Sequence, residues 1–230
     1  MAVNSDLCFR TGVIYVMPQM RVLLADDHPI VLMGVREIIE RDARFKVVGE
    51  ATNSSELISR VSELRPDVII TDYNMPGDEQ YGDGTRLVEY LRRHFPEPRV
   101  LILTVISNPQ ILTWLYELGI SGVISKNAGL EQILVALDAF YREGHYQLDP
   151  FDGDTSADTD EISQRLCQLS VKEFEVLRLF ASGLSVSEVA QSLNRSIKTI
   201  STLKISGMRK LGVDSDQALL ILCIKANLFA

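Results

Sequence analysis

From Arg21 onward the chain alternates five short, contiguous β-rich runs with segments of helical period. This repeat constrains the fold more than any other feature. The runs fall at 21–25, 46–50, 67–71, 99–104 and 121–125, and they are apolar throughout rather than at every second residue. Unbroken runs of this kind suit strands covered on both faces. Between them, apolar residues recur at helical spacing: Val31, Val35, Ile38 and Ile39; Leu57, Ile58, Val61 and Leu64; Leu87, Val88 and Leu91; Ile133, Leu134 and Leu137. The pattern predicts an α/β fold, a (βα)5 doubly wound parallel sheet with right-handed crossovers. Such sheets bind ligands at the carboxyl ends of their strands.

That rule directs attention to the polar residue after each run. Asp26 and Asp27 follow the first, Asp72 the third, Thr104 closes the fourth, and Lys126 follows the fifth. Each taken singly reads as a helix cap, a turn former or a solvated loop residue. Together they converge on one edge of the sheet. Three carboxylates in one crevice repel one another and raise each other's pKa unless a cation neutralises them. Hard oxygen donors suit Mg2+, and a Lys and a hydroxyl facing the same point complete a site for phosphoryl charge.

The rear of the chain has a different character. At 230 residues the length suits two domains. Residues 1–149 carry 14 basic and 21 acidic side chains, residues 150–163 carry 5 acidic and no basic ones, and residues 164–230 carry 9 basic and 5 acidic ones. A basic rear half points to a polyanion. The acidic segment PFDGDTSADTDEIS reads as a linker. Beyond it the period is helical, with helices expected near 170–182, 185–193, 196–210 and 214–226. Capping boxes pair Ser170 with Glu173 and Ser185 with Glu188, and Gly183 and Gly212 supply stops. Short helices joined by tight turns suggest an all-α helix-turn-helix domain. Domain bounds follow as an extension over 1–19, a front domain over 20–143, a linker over 144–163 and the helical domain over 164–230.

Composition closes off other classes. No run approaches the ~20 apolar residues of a membrane-spanning helix, and Cys8, Cys167 and Cys223 are too scattered for a disulfide framework or a C-x-x-C metal site. A reducing cytoplasm is the expected location, with no membrane association.

The pieces LLADDHP at 23–29, IITDYNMPG at 69–77, GDG at 82–84, LILT at 101–104 and the Lys126 of GVISK resemble the receiver domains of two-component response regulators. The resemblance implies that Asp72 accepts a phosphoryl group from a histidine kinase or phosphotransfer protein. It also implies that Asp26, Asp27, Asp72 and the Asn74 backbone carbonyl hold Mg2+, and that Thr104 and Lys126 contact the phosphoryl oxygens. A Mg2+-dependent phosphohydrolase needs a second acid two residues after its Asp nucleophile. Here that residue is Asn74, which cannot act as a general acid, so the acyl phosphate is expected to persist and no enzyme activity is assigned. Residues 169–213 resemble the LuxR-type DNA-binding domain of the NarL/FixJ family, which implies that 196–210 enters the major groove. Ser201, Thr202 and Ile205 then face bases, while Lys198, Thr199, Lys204 and Arg209 hold phosphates. With so few groove-facing cations, binding is expected to lean on dimerisation, which sums two half-sites about 10 base pairs apart.

Three departures set this chain apart from the common receiver pattern. The position three before the lysine, usually aromatic, is Val123; Val105 follows Thr104; and Asp78 to Tyr81 lengthen the loop beside the site. The insertion and its neighbours resemble the capsule-regulator, RcsB-like branch. The expected function is a phosphorylation-responsive transcription factor, acting as a homodimer or as a heterodimer with another regulator. The alternative is a phosphorylation-independent DNA-binding or interaction module that works through a partner regulator.

Overall fold

A computed structural model describes residues 19–75, 78, 80–105, 108–126, 128–129, 131–142, 161–225 and 228. Residues 1–18 and 143–160, which hold most of the expected extension and linker, lie outside the described residues. The front domain runs β1 (Met20–Ala25), α1 (Pro29–Ile39), β2 (Phe45–Ala51), α2 (Ser54–Leu64), β3 (Val68–Asp72), α3 (Gly84–His94), β4 (Arg99–Thr104), α4 (Pro109–Glu117), β5 (Gly122–Ser125) and α5 (Glu131–Arg142). All neighbouring strands pair in parallel in the order β2-β1-β3-β4-β5. The expected (βα)5 fold is therefore observed, with β3 at its centre.

The apolar strands explain the layering. Leu23, Ala25, Ile69, Val100 and Ile102 face one side, against Leu57, Val61, Leu87 and Leu91 of α2 and α3. Val22, Leu24, Val68, Ile70, Leu101 and Leu103 face the other, against Leu32, Val35 and Ile39 of α1 and Ile133, Leu137 and Phe140 of α5. Each buried Leu, Ile or Val contributes roughly 1.5–3 kcal/mol.

The rear domain holds α6 (Glu161–Leu166), α7 (Val171–Ala181), α8 (Val186–Ser192), α9 (Ile197–Leu211) and α10 (Asp216–Lys225). Its four longer-range boundaries follow the expected helices to within two residues. Helix α6 is the difference, since it begins inside the segment expected to be linker. Both capping boxes form: the Ser170 and Ser185 hydroxyls accept from the Glu173 and Glu188 amides, and each glutamate accepts from the cap's backbone. The turn between α8 and α9 places Asn194 at φ 51°, a left-handed conformation that Asn tolerates better than most residues. Leu169, Phe174, Leu177, Met208, Leu211 and Leu219 form a core continuous with that of the front domain's α2–α3 side, because α7 packs against the front domain.

Candidate phosphoacceptor pocket and nucleic-acid interface

Strand register brings the acids together. Ala25 pairs with Thr71 and Asp72 with Leu103, so Asp26, Asp72 and Thr104 emerge at the same level of three adjacent strands. Asp26, Asp72 and Thr104 are all buried and Asp27 is half-buried. Lys126 starts one strand further away, where its amide donates to the Thr104 carbonyl at 2.8 Å. Its four-carbon stem spans that distance: Nζ lies 2.7 Å from Asp26 Oδ2 and 2.7 Å from Asp72 Oδ2.

Three carboxylates and one ammonium leave the crevice negative. Burial pushes the Asp72 carboxyl up to about 6, with Asp26 adding to the rise, while Lys126 and the Asn74 amide pull it down. Burial works against the charge of Lys126, but its bonds to Asp26 and Asp72 outweigh that and hold its pKa above the ordinary lysine value. One ligand atom each from Asp26, Asp27, His28 and Asp72 lies within 4.8 Å of all the others. The three carboxylates of this set supply the oxygen donors that suit a hard divalent cation.

The sequence reading left His28 out of the site. Its amide donates to Asp26 Oδ1 at 2.9 Å and its Nδ1 lies 2.8 Å from Asp27 Oδ1. The signal was its adjacency to the acid pair: as the N-cap of α1 it turns back over them. Val123 is buried in the sheet layer, so the position often aromatic in receivers carries no ring. In the lengthened loop, Asp78 accepts from the amides of Ser55, Gln80 and Tyr81, which anchors the insertion to the start of α2.

On α9 the Ser196 hydroxyl caps the Thr199 amide at 3.1 Å and Gly212 ends the helix at φ 73°. Lys198, Thr199, Thr202, Ile205 and Arg209 are exposed and Ser201 is half-buried, so six of the expected contact residues share an accessible surface. Thr202 donates its hydroxyl to the Lys198 carbonyl at 2.9 Å, so its own Oγ1 can still accept a hydrogen bond. Lys204 departs from the expectation. It is buried, with Nζ 2.7 Å from Asp216 Oδ1 and 3.5 Å from the centre of the Phe180 ring. At helical spacing it falls one turn-fraction away from the Lys198–Thr202–Ile205–Arg209 face. Its ammonium is engaged by Asp216 and the Phe180 ring of its own domain.

Residues 22–138 match the response regulator receiver domain, and residues 167–223 match the bacterial regulatory proteins of the luxR family. The chain belongs to the response regulators, with a receiver followed by a LuxR-type domain. It is 42% identical over 211 residues to the transcriptional regulatory protein RcsB of Escherichia coli strain K12, covering 89% of this chain and 94% of that one. It is 32% identical over 217 residues to the oxygen regulatory protein NreC of Staphylococcus aureus, covering 91% and 99%. Among solved structures, RcsB from Salmonella enterica serovar Typhimurium bound to promoter rprA in the presence of phosphomimetic BeF3- superposes with a TM-score of 0.74 at 44% identity, covering 88% of this chain and 98% of that one.

Proposed function

We propose that this chain is an RcsB-like transcription factor whose receiver is phosphorylated on Asp72 and whose α9 reads promoter DNA. The observation that carries the reading is the buried Asp72 carboxylate at the end of the central strand, 2.7 Å from Lys126 and faced by Asp26. In this reading Asp72 attacks the phosphorus of a phosphohistidine on a histidine kinase or phosphotransfer protein. Lys126 and Thr104 balance the charge on the transferred oxygens. Asp26, Asp27, Asp72 and the Asn74 carbonyl would hold Mg2+, which supplies charge neutralisation for the phosphoryl group. On DNA, Ser201, Thr202 and Ile205 face bases, and Lys198, Thr199 and Arg209 hold phosphates. RcsB forms dimers on DNA; by analogy this chain acts as a dimer, with itself or with another regulator, in the cytoplasm. Among the described residues no helix is long and apolar enough to cross a membrane.

Incubation with acetyl phosphate and Mg2+ followed by intact-mass measurement should add one phosphoryl group to the wild-type chain and none to Asp72→Asn. Label on the Asp72→Asn chain would sink the assignment. The ringless Val123 favours a second reading, in which phosphorylation is weakly coupled to output and a partner regulator drives DNA binding. Promoter binding by Asp72→Asn separates the two. Loss of phosphodonor-stimulated binding supports the first reading, and unchanged binding supports the second.

A further inference from the structure

Helix α7 meets the front domain at the loop that follows the phosphoacceptor. Its Arg178 is fully buried, and its five guanidinium N–H donors make five hydrogen bonds. Two run in parallel to Asp83, NH1 to Oδ2 and NH2 to Oδ1, each at 2.8 Å. Two reach Glu175 on the same helix, at 3.1 Å from Nε and 2.8 Å from NH2. The fifth runs from NH1 to the side-chain oxygen of Asn74.

Glu175 also accepts from the Tyr73 hydroxyl and the Thr85 amide, both at 3.4 Å. Gly84, at φ 54°, allows this approach: a Cβ there would lie 2.6 Å from both Arg178 NH2 and Glu175 Oε1. The DNA-binding domain therefore grips the β3–α3 loop at both ends, at Asn74 and at Asp83.

Asn74 is the junction between this grip and the chemistry. Its amide N–H donates to the Asp72 carboxylate while its side-chain oxygen accepts from Arg178. It sits two residues after the nucleophile, the place from which a phosphohydrolase directs its acid onto the reacting group. A carboxamide cannot donate a proton there as an acid, but its oxygen can hold a water by accepting a hydrogen bond.

Resting on the phosphorylation of Asp72 proposed above, we propose that Arg178 is a positioning residue for the receiver's phosphoryl chemistry. By taking one acceptor site of the Asn74 side-chain oxygen and fixing the carboxamide's orientation, it competes with a hydrolytic water for that oxygen and prolongs the acyl phosphate. The reactions affected are these. In phosphorylation by acetyl phosphate, an Asp72 oxygen forms a bond to phosphorus as the bond from phosphorus to the acetate oxygen breaks, and acetate leaves with the electron pair. In hydrolysis, a water oxygen bonds phosphorus as the Asp72–phosphorus bond breaks. The Asp72 carboxylate is restored, one water proton stays on the inorganic phosphate, and the other goes to solvent. Arg178 bears on the second reaction through Asn74 and touches no reacting atom.

The test uses the full chain, labelled with acetyl phosphate and Mg2+, freed of donor, and followed by intact mass as the label decays. Arg178→Gln should shorten the half-life by about threefold to tenfold, the span of one hydrogen bond. In an Asn74→Ala background the same substitution should change nothing, because the oxygen it controls is gone. Loosening of the domain interface alone would shorten the half-life in both backgrounds, and that result overturns the proposal. So does an unchanged half-life in Arg178→Gln.

If Arg178→Gln does not fold, Asp83→Asn carries the same test. Asp83 occupies the cap position of α3 without making a side-chain capping bond, so this change weakens the arginine fork and spares the helix start. It should shorten the half-life in the same direction and to a smaller extent, again only when Asn74 is present; no shortening overturns the proposal. Absence of label on the wild-type chain would overturn the phosphorylation reading and this inference together, whereas a labelled wild type with unaltered decay in the variants overturns this inference alone.

Discussion

Lys126 and Lys204 are both lysines beside a place where phosphate is expected, and the fold treats them in opposite ways. Lys126 leaves the end of an edge strand and points along the sheet into a crevice of carboxylates, with its ammonium between Asp26 and Asp72. Lys204 lies on a helix, turned toward the domain, with its ammonium over the Phe180 ring and against Asp216. A strand end has one outlet, so a polar residue there arrives at the ligand-binding edge by topology. A helix offers every azimuth, and a shift of about 100° per residue decides whether a side chain meets ligand or core. The same residue type faces the carboxylate crevice in one setting and the domain core in the other.

The largest effect that could break this contrast is at Lys126. Lys126→Met should slow labelling by acetyl phosphate on the order of a hundredfold, comparable to deleting one preorganised charge-stabilising donor. Unchanged labelling would mean that the crevice does not depend on its cation. The pH dependence sharpens the point. Burial first, then Asp26, raise Asp72 to about 6 against the partial relief from Lys126. For an acid raised above its usual 3.8, the folded chain binds the proton more tightly than the unfolded one. Its contribution to stability is therefore lost as pH rises from about 4 to about 6 and is flat above. The nucleophile is the ionised form, and an NMR titration of the metal-free chain should place the Asp72 midpoint at about 6. In Lys126→Met that midpoint should move upward.

At α9 the contrast is between Lys204 and Lys198. Lys204→Ala removes a buried stem together with its ring and ion-pair contacts, and should cost about 2 kcal/mol in unfolding free energy, read by denaturant titration. The salt dependence of DNA binding should stay as in the wild type. Lys198→Ala should leave stability alone and reduce the log–log salt slope by about 1, the signature of one lost phosphate contact. If Lys204→Ala also flattened that slope, the inward placement would be wrong.

How much of this was legible in the sequence follows from the same physics. The sheet, its order of strands and helices, and the convergence of Asp26, Asp27, Asp72, Thr104 and Lys126 are topological, and contiguous apolar runs announce them. The capping boxes at Ser170 and Ser185 are local, and three-residue spacing announces those. Helix α4 was implied by the alternation but not placed on residues; Ile111, Leu112, Trp114 and Leu115 form a near-contiguous apolar run there. Arg178 was silent. A lone arginine on a helix reads as solvated, and its partner Asp83 lies 95 residues away and meets it only when the domains dock. The inward turn of Lys204 was not legible, because a family motif fixes positions along a helix but not which of its cations the local core recruits.

The smallest effect compares the two capping boxes, which share a sequence pattern and differ in surroundings. The Ser185 box is exposed, and among the described residues no cation pairs with its glutamate. In the Ser170 box, Glu173 also accepts from Ser206 at 2.7 Å and pairs with Lys210 at 2.6 Å, both on α9, so the cap of α7 also ties two helices together. Burial works against the charged form of Glu173, but Lys210, Ser206 and Ser170 outweigh it and bring its pKa down to about 2. Ser170→Ala should therefore cost about 1–2 kcal/mol and Ser185→Ala less, both read as shifts in the denaturant midpoint. Because the folded pKa of Glu173 is depressed, its stabilisation is present above its ordinary 4.5 and is lost as pH falls toward about 2. The extra cost of Ser170→Ala should shrink over that acid range. A gap between the two variants that stays constant with pH would show that the Ser170 cap acts locally, as the Ser185 cap does, and not through its ties to α9.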